Sequence, residues 1–399
     1  MLRQAIALRR QNDLAGTETL LREVLSADAN NYDALHLLGV LEFENGRGET
    51  SASLIAAAIR VNSSEAAAHY NLGNALRLLE RHAEAIASYE RAIALKSNHW
   101  RAHNNRANCL ADLHRHAEAV ASYDRAIAIE PAWADTWHNR GKALVELKRF
   151  EEAIESFRRA LANGGDTGRL EFELAALHAA PAPVAAPEGF ITSLFDRYAD
   201  TFDKHLVEQL GYRTPGATVD AVRRMTTATE LDVLDLGCGT GLCGPLLKPF
   251  ARTLVGVDLS KKMLDKARQL GTYDELVNTN VTTFLLTKVS AFDLVIATDL
   301  FIYIGDLTSI FAGAARALRV GGHFAFSVEH SNSADFVLQA SRRYAQSEPY
   351  LRRLADAYGF AVKIIEPCFI RKDGDADISG MIAVMQRLQA PDSDTAAHA

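Results

Sequence analysis

Small residues recur at Gly39, Gly73, Ala107 and Gly141, each 34 positions after the last. Three further columns keep the same step. They are Ser51, Ala85, Ala119 and Ala153; Ile55, Tyr89, Tyr123 and Phe157; and Ala58, Ala92, Ala126 and Ala160. Four columns in phase through four copies point to an array of like units. In such an array each unit buries its apolar face only against its neighbours.

The period and its small, small, aromatic, small columns resemble the tetratricopeptide repeat (TPR), which implies two antiparallel helices per unit. Small residues let the helices approach, and the aromatic fills the gap to the next repeat. Pro131 stands where that family turns between repeats, with Ser63 and Ser97 in other copies. Residues 1–31 keep the phase through Ala5, Thr17, Leu21 and Val24, giving about five repeats with the first truncated. Residues 169–180 read as one more in-phase helix capping the last repeat.

The resemblance implies a concave face that docks a protein or an extended peptide. Asn71, Asn105 and Asn139 also lie 34 apart. A side-chain amide both donates and accepts, so a stack of three could grip a peptide backbone. The stack looks like the asparagine ladder in the TPR superhelix of O-GlcNAc transferase; the alternative is a plain solvated face. Tyr70 and Asp135 occupy two positions where the family's carboxylate clamp has lysines, which disfavours binding of chaperone tails.

Composition narrows the partners. The chain has 399 residues, 48% hydrophobic and 23% charged, with net charge −7. These values exclude a chain disordered throughout and disfavour a broadly basic nucleic-acid surface. The four cysteines, Cys109, Cys238, Cys243 and Cys368, form no C-x-x-C pair. Neither a zinc site nor a disulfide framework is expected, and a reducing, cytoplasmic location is. No signal peptide and no membrane-spanning run are expected.

Residues 181–189 (PAPVAAPEG) carry three prolines and read as an extended linker. The expected organisation is therefore a solenoid over 1–180, the linker, an α/β domain over 190–388, and a disordered tail over 389–399.

The α/β reading begins at Leu231–Leu236, a short apolar strand, followed by Gly237, Cys238, Gly239, Thr240 and Gly241. A second strand, Thr253 to Asp258, ends in an acid, and Ser260 can cap the next helix. Strand, glycine turn, helix, strand and acid make a βαβ unit whose carboxyl edge holds a ligand. Glycines let the backbone approach a nucleoside, and the acid can accept both ribose hydroxyls. The spacing is G-x-G-x-G rather than the G-x-G-x-x-G of nicotinamide proteins, which disfavours an oxidoreductase.

The string VLDLGCGTG with VGVDLSKKML downstream resembles class I S-adenosylmethionine (SAM) methyltransferases. The resemblance implies a Rossmann-like, mostly parallel seven-stranded sheet with an antiparallel terminal hairpin. It implies that Asp235 binds the methionine amino group. Gly237, Cys238, Gly239 and Gly241 form the loop, Asp258 takes the ribose, Leu259 and Met263 sandwich adenine, and Asn280 and Val281 hold its edge. Many relatives have Asp at position 280; Asn can still accept through its carbonyl.

Phe292–Ala297 reads as the fourth strand, at whose end methyl acceptors sit in this fold. Asp299, Tyr303 and Tyr344 are candidate catalytic residues, and Asp299 is also a cofactor candidate. No N-P-P-Y or D-P-P-Y follows this strand, which disfavours amino-group methylation of DNA bases or glutamine. The segment from Phe195 to Leu206 resembles the opening of bacterial methyltransferases that carry TPRs, with Tyr198 as a lid over the methionine end and His205 close by. Arg343–Ser347 resembles R-Y-x-H-S of the same group, with Gln346 in place of His. Packing on helix faces is the alternative for Tyr198, His205 and Tyr344.

The function expected is methyl transfer from SAM, without a metal, to an unidentified small-molecule or protein acceptor. The alternative is a weak or inactive methyltransferase-like domain in a TPR adaptor.

Overall fold

The computed structural model describes residues 1–199, 213–332, 335–373 and 376–389. It divides into two compact units, Met1–Leu170 and Glu171 onward.

The first unit consists of antiparallel helix pairs. These are α1 (Leu2–Arg10) with α2 (Leu14–Ala27), α3 (Tyr32–Glu44) with α4 (Gly48–Val61), and α5 (Ala66–Leu78) with α6 (His82–Leu95). The series continues with α7 (Trp100–Asp112) and α8 (His116–Ile129), then α9 (Ala134–Glu146) and α10 (Phe150–Ala162). The 34-residue columns explain the pairing. A Cβ built on Gly73 would stand 2.5 Å from the Tyr89 ring, and one on Gly141 2.5 Å from the Phe157 ring. The small column is the contact surface for the aromatic column, both fully buried. Between the helices of each pair the chain turns through a left-handed residue, again 34 apart: Asn12, Gly46, Glu80, His114 and Lys148. Four of those five carry side chains and take a modest strain to close the turn.

Helix α11 (Thr167–Ala176) straddles the division between the units. Phe172, Ala175 and Ala176 are buried in one cluster with Ala186, Ile191, Leu338 and Tyr344. The end of the expected capping helix and the whole expected linker therefore belong to the second unit. The cause is local. Val184 accepts from the Gly305 and Asp306 amides at 2.9 and 3.0 Å, and the Ala186 amide donates to the Tyr303 carbonyl at 2.9 Å. The prolines keep the segment extended, and the turn and loop at Tyr303–Asp306 supply the hydrogen bonds that an extended segment lacks.

The second unit continues through α12 (Glu188–Tyr198), α13 (Thr214–Met225), β1 (Leu231–Leu236), α14 (Gly244–Leu247), β2 (Ala251–Asp258) and α15 (Lys261–Leu270). Then come β3 (Glu275–Asn278), α16 (Val281–Leu285), β4 (Phe292–Ala297), a 3-10 turn (Phe301–Tyr303), α17 (Thr308–Ala317) and β5 (Leu318–His330). The last elements are β6 (Phe336–Leu338), β7 (Tyr344–Gln346), α18 (Glu348–Ala357), β8 (Phe360–Asp373) and β9 (Ala376–Arg387).

The sheet runs β3-β2-β1-β4-β5-β7-β6, with β9 antiparallel on β5 and β8 on β9. The path from β3 to β5 is parallel. Among the described residues the sheet has nine strands, not seven. The additional pair is β6 and β7, and β7 holds Gln346 and also Tyr344, which sits on a strand rather than on the helix face that was its alternative. Both faces of the sheet are packed, which is why β1 and β4 are almost continuously buried.

Candidate functional site

The site lies at the carboxyl ends of β1, β2 and β4. Strand β1 ends at Leu236, and the chain then turns through Gly237 (φ 67°), Gly239 (φ 54°) and Gly241 (φ 92°). These angles favour glycine. The Gly237 and Cys238 amides donate to the Val257 carbonyl at 2.8 and 3.1 Å, tying the loop to β2. A Cβ on Gly239 would meet nothing within 4 Å, so the backbone faces open space there. On Gly241 it would instead meet Tyr273, Leu270 and Ala267, so that glycine serves packing rather than the cavity.

Asp258, at the end of β2, accepts from the Gly239 amide at 3.0 Å and from the Ser260 amide at 2.8 Å. Burial raises its pKa while these amides oppose the rise. Ser260 caps α15, and its hydroxyl donates to Asp196 at 2.6 Å, which pins α12 beside the loop.

Asp235 is buried under the loop. Its Oδ2 accepts from the Tyr273 hydroxyl at 2.7 Å, and its Oδ1 has no partner. Burial pushes its pKa up to about 7, and the Asp258 charge adds to the rise against the Tyr273 bond.

Asp299 follows β4 in a left-handed conformation, φ 52°. Its amide donates to the Ser327 hydroxyl at 2.9 Å, and that hydroxyl donates back to Oδ1 at 3.2 Å. Oδ2 lies 3.6 Å from Arg371, which is itself paired with buried Glu329. Burial pushes the Asp299 carboxyl up to about 6 against the pull of Arg371.

One cavity of about 310 Å3 collects the loop at Gly237–Thr240, Asp258, Asp299 and Arg371, whereas Asp235 and Gly241 do not line it. Of the expected cofactor residues, Tyr198, Gly237, Cys238, Gly239, Asp258, Leu259, Asn280, Val281 and Asp299 line it, as does the catalytic candidate Tyr303.

Family models for a methyltransferase domain match residues 234–326, and tetratricopeptide-repeat models match 2–60, 66–99 and 101–164. The chain carries tetratricopeptide repeats and a methyltransferase domain. The ubiquinone biosynthesis O-methyltransferase of Thiobacillus denitrificans is 31% identical over 113 residues, covering 27% of this chain and 47% of that protein. The one from Vibrio parahaemolyticus is 25% identical over 109 residues, covering 26% and 46%. The chain thus spans about half the length of the curated relatives it matches. The crystal structure of MamA is 25% identical, covering 40% of this chain and 93% of that one, with TM-score 0.39. A SAM-dependent methyltransferase from Methanosarcina mazei is 15% identical, covering 42% and 98%, with TM-score 0.37.

Several expected residues lie elsewhere in the methyltransferase domain. Met263 is buried in α15 and does not line the cavity. Tyr344 is fully buried in β7, and its hydroxyl donates to the Pro183 carbonyl at 2.7 Å, so it is no catalytic group. Gln346 donates from Nε2 to the Phe301 and Ile304 carbonyls at 3.0 and 2.8 Å, so it frames the turn that carries Tyr303. Asn280 does not offer its carbonyl to a base. That oxygen caps α16, accepting from the Thr282 and Thr283 amides at 2.8 and 3.4 Å. His205 falls outside the described residues.

Sequence reasoning missed Glu188, Phe195, Arg343 and Arg371, which also line the cavity. The first two come from the segment next to the prolines, and the last from β8 in the terminal hairpin. Phe195 and Arg343 open the two segments that resemble the TPR-bearing methyltransferases, which was the available signal. No local motif marks Glu188 or Arg371, which only the fold brings to the cavity.

In the TPR array the asparagine column turns inward. Asn105 donates to Asn74 at 2.9 Å and to the Tyr70 hydroxyl at 3.3 Å, and accepts from Asn104 at 3.1 Å. Asn139 donates to Asn108 at 3.3 Å, and the Asn71 amide nitrogen lies 2.9 Å from His36 Nε2. The amides join one repeat to the next because a half-buried polar group must find a partner. Among the described residues no helix is long and apolar enough to cross a membrane, and no cluster of three His, Cys, Asp or Glu is placed to hold a metal.

Proposed function

We propose that the methyltransferase domain binds S-adenosylmethionine and transfers its methyl group to an acceptor held beside Asp299 and Tyr303. The observation that carries this reading is the glycine cradle at Gly239, open where a Cβ would stand, with the Asp258 carboxylate at its edge. The orphaned, buried Asp235 Oδ1 also fits, since it has room for one more donor such as an ammonium group. When bound, SAM supplies an electrophilic methyl on a sulfonium.

The chain's own residues supply position and dryness. Asp258 offers unused lone pairs to a ribose diol, and Leu259 and Val281 offer apolar faces to a base. Phe195 and Tyr303 pack edge to face, 5.4 Å between ring centroids, and exclude water from the acceptor side. Such positioning supplies much of the rate for an in-line displacement. Asp299, with its carboxyl held near 6, can take a proton from an acidic acceptor oxygen near neutral pH. The O-methyltransferase relatives support an oxygen acceptor, small molecule or protein, and the array is read as the docking platform for a protein or peptide partner.

Calorimetry with SAM and S-adenosylhomocysteine tests the reading. The full chain is expected to bind both in the micromolar range. Asp258→Ala, which removes the ribose acceptor and leaves the Gly239 amide without its partner, is expected to weaken both by more than about 100-fold. Failure of the wild type to bind either would favour an adaptor with an inactive domain.

A further inference from the structure

Asn280 lines the cavity beside Leu259 and Val281, which the cofactor reading above assigns to the base, and its hydrogen bonds are already allotted. Its oxygen caps α16, and its amide nitrogen donates to Glu188 Oε1 at 2.7 Å. What it still offers the cavity is an N–H. The exocyclic amine of adenine is also a donor, so the two would oppose each other.

Glu188 lines the same cavity, exposed at its rim. A carboxylate has about four acceptor positions, and the Asn280 amide uses one. Glu188 sits in the first turn of α12, where the helix dipole favours negative charge. Its backbone is held in place: the preceding Ala186 amide is bonded to Tyr303, and Asp196 at the far end of the helix is bonded to Ser260. Asn280 in turn fixes the carboxylate's orientation. The acceptor missing at the end of β3 is thus provided from a segment far away in sequence.

We propose that Glu188, oriented by Asn280, is the acceptor that recognises the exocyclic amine of adenine. This rests on the cofactor reading above and adds a specificity residue to it.

The test compares two ligands by calorimetry on the full chain. One is S-adenosylhomocysteine; the other is S-inosylhomocysteine, in which the amine is a carbonyl. A carboxylate accepts from the amine and repels the carbonyl, so the wild type is expected to favour the adenosyl compound at least tenfold. Glu188→Ala is expected to bring the two within about twofold of each other. Glu188→Gln can keep the Asn280 bond through its own carbonyl while turning an N–H to the base, so the preference is expected to invert. Thermal unfolding of each variant identifies any change due to folding, and Glu188's exposed position makes both substitutions mild. A wild type without preference, or variants that keep the wild-type ratio, overturns the proposal while leaving the cofactor reading in place. A wild type that binds neither compound overturns the cofactor reading itself.

Discussion

The two units use polar side chains in opposite ways. In the TPR array, Asn105 makes bonds to Asn74, Tyr70 and Asn104, and Arg106 bridges Glu90 and Ser122. The same brace recurs one repeat later, where Arg140 bridges Asp124 and Ser156. In the methyltransferase domain, Asp235 keeps an oxygen buried without a partner and Asp299 sits in a left-handed conformation. Such features cost stability and persist where the surroundings enforce them. Left-handed residues also close the turns of the array, at Glu80, His114 and Lys148, so strain alone marks no site. The comparison teaches that the periodic asparagines and arginines are internal joints, whereas Asp235 and Asp299 bring an orphaned oxygen and a strained backbone to the ends of neighbouring strands β1 and β4.

The largest expected effect tests where the second unit begins. A chain starting at Glu171 is expected to fold and to bind S-adenosylhomocysteine as the full chain does. One starting at Glu188 loses Phe172, Ala175, Ala176 and Ala186 from a buried cluster. Loss of the Phe172 side chain alone is expected to cost about 3–5 kcal/mol, so this shorter chain should be largely unfolded. Chemical denaturation followed by circular dichroism distinguishes the two. Equal stability of both chains would mean that the proline segment is a tether after all, and that the array and the domain are separated by it.

A smaller effect is expected at Asp235, with a pH signature. Its carboxyl titrates near 7 in the folded protein and far lower when unfolded. Below about pH 4 both states are protonated and the residue adds no pH dependence. Between pH 4 and 7 the unfolded chain releases the proton first, so the folded state loses relative stability as pH rises. Asp235→Asn escapes this loss. Its stability advantage is expected to grow by at most about 1.4 kcal/mol per pH unit across that window and then level off. Affinity for S-adenosylhomocysteine, measured at pH 8, is expected to fall about tenfold or more. A stability difference that stays flat with pH, together with unchanged affinity, would remove Asp235 from the site.

The contrast also explains what was legible in the sequence. The period of 34 gave the array its phase, because each column faces one physical neighbour: Gly73 meets Tyr89, and Gly141 meets Phe157. The glycine turn, Asp258 and the strand ends were readable for the same local reason. The docking of residues 183–187 on the turn at Phe301–Tyr303 was not, since proline spacing shows extension and cannot show what the extended segment lies against. Asn280 was misjudged for a related reason. Its residue type permits both capping and base recognition, and only the neighbouring Thr282 and Thr283 amides decide between them. Tyr344 and Gln346 carried a family pattern, yet three-residue strands hold no periodicity by which to assign their faces.

The smallest effect bears on the array side of the comparison. Asn105→Ala removes an amide that donates to two residues of the preceding repeat and accepts from Asn104. If the column is a joint between repeats, the free protein loses stability, by about 1 kcal/mol for a half-buried hydrogen-bond cluster. If the column grips a peptide and nothing else, stability of the free protein stays the same and only partner binding falls. Urea denaturation of the variant without any partner separates the two. Unchanged stability would restore the ladder as a recognition surface, because amides that contribute nothing to the free fold are free to turn toward a ligand.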